Sequence, residues 1–203
     1  MKVVLALSGM LLLISNSFGE EPGAQQYGRM RIEYASAPGF DSYAVMIKEL
    51  AMARLAKQEW AAGHAQATVD RINDLLAFYP LSILGNRMMA DTCAELVKHS
   101  GDAKRQKQFA AMSAEHMKRY LLLLESVTGN TECTSKEDHC KVITIEEENM
   151  VLFKMRLKKS SQAVVVGDRP GMFYDTIDGT SADGAVKTLF FDISQFYRGF
   201  TPQ

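Results

Sequence analysis

From residue 42 to residue 127 apolar side chains recur every three or four positions, and a pattern of that period and length commits the middle of the chain to amphipathic helices. A strand cannot use it, because successive side chains of a strand point to opposite faces. One stripe runs Met46, Leu50, Ala53, Ala56 and Trp60, and the next Ala65, Val69, Ile72, Leu76 and Tyr79, with Gly63 at the turn between them and Pro80 closing the second. Further helices are predicted over 81–99 and 102–127, broken at Ser100-Gly101-Asp102, where Gly101 can supply the left-handed conformation that ends a helix. The 17-residue interval from Gly63 to Pro80 fits the tetratricopeptide pattern of a small turn residue followed by a closing Pro. The second pair departs from it, since Gly101 lies 38 residues after Gly63 and no Pro follows. Two degenerate tetratricopeptide-like hairpins and a plain helical bundle both satisfy this pattern.

At Gly129 the character changes. A polar stretch, 129–140, is followed by β-branched runs bounded by turn signals, so strands are expected at 141–145, 163–167, 172–177 and 188–193. "GDRPG" and "DGTSADG" suit antiparallel hairpins. Between the first two strands a helix is predicted over 146–157, with Thr144 and Glu147 spaced as a capping box, three glutamates at the positive end of the helix dipole, and Lys158 and Lys159 at its close. The fold class expected is therefore α+β: two tetratricopeptide-like helical hairpins, 42–128, then a small antiparallel sheet module with one helix, 129–203. An opening segment, 20–41, precedes them and shows neither helical period nor strand alternation.

Residues 1–19 read as a signal peptide, with Lys2 before an apolar run over 3–14 and the small residues Ser17 and Gly19 at the cleavage point. A membrane anchor needs about 20 apolar residues, so cleavage after Gly19 and export to the periplasm or the medium, without stable membrane insertion, is the expectation. The chain has 23 Lys and Arg against 24 Asp and Glu. Nucleic-acid binding is excluded as a function class, since that work concentrates cations on one face to displace counterions, and the basic cluster at 104–108 reads as a solvated helix start.

Export frames the three cysteines. Cys133 and Cys140 flank a polar hexapeptide and are expected to form a disulfide in an oxidising compartment. A metal site from Cys133, His139 and Cys140 competes with this reading, but no fourth ligand is spaced for zinc. No metal or other cofactor is expected. Cys93 falls with Met89 and Leu96 on one helical face and reads as a buried free thiol.

Chemistry has few candidates. Glu146, Glu147 and Glu148 can serve acid–base work, though helix capping accounts for them. The loop at 178–184 lacks the alternating acids and terminal Glu of a calcium loop. The four histidines do not converge, and His116, on a face with Met112, Tyr120 and Leu123, reads as a hydrogen-bonded core residue. There is no nucleophile elbow, zinc-protease motif, phosphate loop or dinucleotide fingerprint, which favours a protein that is not an enzyme.

The stretch "RIEYASAPGFDSY" resembles the opening motif of an uncharacterised family of exported bacterial proteins, known only as a domain of unknown function. The carrying residues are Arg31, Tyr34, Pro38, Phe40 and Tyr43, with further likeness at 142–152, at Tyr174 and Asp175, and at 190–193. The chain departs from the pattern at Ser42, where Pro is usual, and in its two cysteines. The resemblance covers most of the exported chain and implies that the motif belongs to the domain; it implies no activity.

Two roles are open for that motif. Arg31 can anchor the opening segment to Asp175, Asp192 or one of the glutamates; alternatively Arg31, Tyr34, Tyr43, Glu147, Tyr174 and Asp175 line a binding cleft. Two functions follow. The first is an envelope module recognising a protein or peptide through its helices. The second is an envelope hydrolase using carboxylates such as Glu147 and Asp175 at the junction of the two modules.

Overall fold

A computed structural model describes residues 23–129, 131–195 and 197; the signal peptide expected at 1–19 lies outside them. Among the described residues six helices and a four-stranded mixed sheet give an α+β fold. The helices are α1 (Ala24–Ser36), α2 (Ser42–Ala61), α3 (Ala65–Phe78), α4 (Ile83–His99), α5 (Ala103–Thr128) and α6 (Ile145–Lys154). The strands are β1 (Cys140–Lys141), β2 (Lys158–Val166), β3 (Phe173–Thr180) and β4 (Val186–Asp192). The residues fall into two compact units, Ile47–Leu123 in one and Ala24–Met46 with Leu124–Gln203 in the other.

The first unit is helical. Ala56 of α2, Val69 and Ile72 of α3, and Met89 and Cys93 of α4 are buried together, flanked by Leu76, Leu96, Phe109 and Met112. Close approach of α3 to α4 depends on Gly85: a Cβ there would come within 2.9 Å of Leu76 Cδ2. Ser82 caps α4, its Oγ accepting from Gly85 N–H at 2.7 Å. Gly63 turns the chain between α2 and α3 at φ +78°. Gly101 does not take the left-handed conformation predicted for it; α4 ends instead on an extended Ser100. The helices run 20, 14, 17 and 26 residues, and no regular repeat unit emerges from them.

The second unit corrects several expectations. The opening segment is not irregular: Tyr27, Met30, Arg31 and Tyr34 are the buried positions of α1. They follow the three-and-four spacing of a helix, hidden in the sequence because one member of the stripe is an arginine. A turn then closes on Phe40 N–H to Ala37 O at 3.0 Å, with Gly39 at φ +79°, and Asp41 caps α2 through Ala44 N–H at 3.1 Å. Ser42 is thus the first helical residue, a position where Pro is equally at home.

The sheet has the order β1-β4-β3-β2. β2–β3 and β3–β4 are antiparallel hairpins, with Asp175 opposite Val164 on one side and Phe191 on the other. β1 runs parallel to β4, so the sheet is mixed and not antiparallel throughout. Its strand is also shorter than predicted, because Val142, Ile143 and Thr144 leave the sheet to start α6. Lys158 and Lys159 open β2 and do not close the helix. Asp175, Ile177 and Gly179 share one face of β3, where Gly179 allows Leu157 to approach: a Cβ at 179 would lie 2.7 Å from Leu157 Cβ.

Candidate functional site

The interior of the second unit holds four charged side chains from distant parts of the sequence. Arg31 Nε donates to Glu147 Oε1 at 3.3 Å, and Nη2 donates to Glu147 Oε2, a two-point pairing of guanidinium and carboxylate. Nη1 reaches Ser126 O at 3.4 Å and Nη2 also reaches Lys141 O at 3.3 Å, so α1, α5, β1 and α6 meet on one guanidinium. Glu147 Oε2 also accepts from Ile143 N–H at 2.6 Å. The capping box therefore does not form as spaced: Thr144 makes no side-chain cap, and Glu147 turns to Arg31 and to the amide one residue before the cap. A buried guanidinium outbids a backbone cap for the carboxylate, since charge-assisted bonds are about twice as strong as neutral ones.

One residue along α6, Glu148 is completely buried, with no N–H donor on either carboxyl oxygen. It meets Asp175 of β3, itself 4% exposed. Asp175 Oδ2 accepts from Gln162 Nε2, while Oδ1 receives no N–H. Gln162 Oε1 in turn accepts from Lys159 Nζ at the exposed end of β2. Burial, reinforced by Asp175, pushes the Glu148 carboxyl up to about 9; Asp175 is raised too, by burial, against the lowering effects of Gln162, Lys159 and Glu148. Two carboxylates in such surroundings do not both ionise.

The opposite face of the sheet carries Tyr174, stacked edge-on against His139 with ring centroids 5.2 Å apart. His139 accepts no side-chain donor; its Nδ1 lies 2.7 Å from Lys136 O, and Nε2 lies 3.8 Å from Asp192 Oδ2. Cys133 and Cys140 come together at disulfide distance, Cα to Cα 5.1 Å. Among the described residues no group of three or more His, Cys, Asp or Glu is placed to hold a metal ion.

The residues proposed for a cleft separate in this arrangement. Arg31, Tyr34, Glu147, Tyr174 and Asp175 are all buried, and Tyr43 is 51% exposed. Arg31 and Glu147 meet each other, Asp175 meets Glu148, and Tyr174 faces away from both on the other side of β3. Sequence reasoning passed over Gln162 and Lys159 and treated Glu148 as a capping residue.

Along α2 the outcome also differs from expectation. Met46, Ala53 and Ala56 are buried as predicted, but Leu50 and Trp60 are not. Leu50 is 37% exposed and Ile47 47%, and the same helical stripe continues into exposed Arg54 and Lys57. His116 is held by a hydrogen bond, Nδ1 to Asn86 Oδ1 at 2.9 Å, and Cys93 is a buried free thiol against Met89.

Comparison of the chain with protein-family models, curated proteins and solved structures finds no match in any of the three. No helix among the described residues is long and apolar enough to cross a membrane.

Proposed function

We propose that this is an exported binding protein, working in the periplasm or outside the cell, whose helical unit takes an amphipathic protein or peptide segment bearing acidic residues beside its apolar ones. One observation carries the reading: Ile47, Leu50, Arg54 and Lys57 succeed one another on an exposed stripe of α2, apolar at one end and basic at the other. Apolar side chains supply burial energy of about 25 cal/mol per Å², and the two cations select the sign of the neighbouring charge. The likeness of the Arg31 to Tyr43 motif to exported bacterial domains agrees with an envelope role.

The second reading, a hydrolase, would draw on Glu147 and Asp175. Both are interior side chains, and Glu147 is neutralised by Arg31, so binding is the better supported of the two. The test is site-specific photocrosslinking in the native envelope, with the crosslinker at Leu50 and, as control, at Lys107 on α5. A discrete adduct is expected at Leu50 alone, abolished by Arg54→Glu with Lys57→Glu. Equal labelling at both positions, or an adduct indifferent to the charge reversal, would overturn the proposal.

A further inference from the structure

The buried acid pair of the second unit is not used by a binding surface on α2, and its surroundings are unusual for two carboxyl groups. The interior cation, Arg31, is committed to Glu147. From β2, Lys159 donates to Gln162, which donates to Asp175, and the lysine's charge opposes the rise of both acids without cancelling it. Glu147 adds negative charge from the same helix turn, and Asp175 adds more from β3. Three buried oxygens, both of Glu148 and Oδ1 of Asp175, have no N–H to accept from. Leaving such oxygens ionised and unpaired would cost the full desolvation of the charge; a single shared proton removes the need.

We propose that Glu148 and Asp175 hold one proton between them in the folded second unit and lose it only when that unit opens, making this unit a proton-linked latch that is firmest in mild acid and loosens as the medium turns alkaline. In the closed state Glu148 O–H donates to an Asp175 carboxylate oxygen. On opening, the O–H bond breaks, the proton passes to water or hydroxide, and two solvated carboxylates remain. The device rests on the interior of the sheet unit and is independent of what α2 binds.

The sign follows from linkage. Glu148 sits higher in the fold, at about 9, than the ordinary value of 4.5. A raised acid contributes stability that is fully present below its unfolded value and is lost as pH rises through its folded value, so the window runs from about pH 4.5 to about 9. Within it the folded unit binds up to one proton more than the open chain, and the opening constant rises by up to tenfold per pH unit. The range from pH 7 to 9 lies above the ordinary value of His116, and Cys93 in the other unit, whose open-chain value is 9.0, contributes only at its upper end.

The test uses the exported chain, 20–203, labelled with ¹³C on glutamate. The Glu148 side-chain carboxyl resonance, assigned through its own backbone, is followed from pH 4 to 10, and urea unfolding is followed at β3 amides from pH 7 to 9. The expected result is a Glu148 resonance still protonated at pH 7 and an opening constant that climbs severalfold or more per pH unit. In Glu148→Gln, whose amide donates to Asp175 without titrating, the climb should vanish. A Glu148 resonance that titrates near pH 4–5 overturns the proposal, as does an equal climb in Glu148→Gln. Should that variant fail to fold, the wild-type resonance decides alone.

Discussion

The two units bury polarity by different means. In the helical unit the interior holds a buried acid, Glu49, that accepts from Ser82 Oγ–H, and its other polar groups are neutral: Ser82 also serves Gly85 N–H, Asn86 donates to Ser82 O and holds His116, and Cys93 is a hydrophobe. In the sheet unit, charge itself is interior, as an arginine–glutamate pair and an acid pair. The difference is one of chain distance. The side-chain links between helices of the first unit join residues 30 and 33 positions apart, whereas Arg31 and Glu147 are 116 residues apart. A two-point ion pair gives such remote segments one geometry in which both charges are satisfied and penalises near misses, a specificity role that buried ion pairs fill in some folds.

The comparison breaks most easily at Arg31. Arg31→Ala strands the Glu147 carboxylate in the interior and should destabilise the sheet unit by about 3–5 kcal/mol. In the helical unit the counterpart is a cavity: Ile72→Ala, at a completely buried position, should cost about 2–5 kcal/mol. Denaturant unfolding measures both. The double variant Arg31→Met, Glu147→Leu sharpens the contrast, because it removes both charges and should recover most of the loss. A near-normal midpoint for Arg31→Ala would mean that the pair is not what orders this unit.

The next effect in size is the cysteine link. Replacing Cys133 and Cys140 by Ala releases a short closed loop, and the loop-entropy account places the loss at about 2.5 kcal/mol. Thiol counting without reductant should find no accessible thiol in the native exported protein and one, Cys93, after denaturation. Three would show that the pair is not bonded.

These contrasts also explain what could be read from the amino acids alone. The helices of the first unit were legible because their apolar spacing is local, and β2, β3 and β4 because turn signals punctuate them. α1 was not, since Arg31 occupies a core position that only a partner 116 residues away makes tolerable. The parallel β1 was hidden for the same reason: pairing of Cys140 with Phe191 is a long-range choice. Glu147 was named as a candidate from its place in an acidic triplet, but nothing local distinguishes it from Glu148, and the structure gives the two unlike partners.

Smaller still is the pH response expected of the helical unit, and its sign opposes that of the latch. Burial, helped by Arg119, lowers His116 below its ordinary value of 6.5. A histidine so lowered stays neutral in the fold but charges in the open chain, so the unit loses stability as pH falls below about 6.5. His116 is only half-buried, and solvent screening keeps the effect below about 1 kcal/mol. Hydrogen exchange, corrected for intrinsic rates, should show α4 amides less protected at pH 5.5 than at 7.5 and β3 amides more protected. The same sign in both units would remove the contrast.

The smallest expected effect on stability carries the most weight for function. Leu50→Asp places a charge on α2 where the side chain is already 37% exposed, and no buried partner is lost. Surface changes of this kind fall within about 0.5 kcal/mol, so thermal unfolding should be close to normal. Binding of an acidic amphipathic segment should nevertheless weaken strongly, because the carboxylate interrupts the apolar end of the stripe and repels acidic neighbours in the ligand. Arg54→Glu with Lys57→Glu should act at the other end with equally little effect on folding. If Leu50→Asp unfolds the helical unit, Leu50 belongs to the core after all, as its heptad-like spacing with Met46 and Ala53 first indicated, and the exposed stripe would lose its claim to be a docking face.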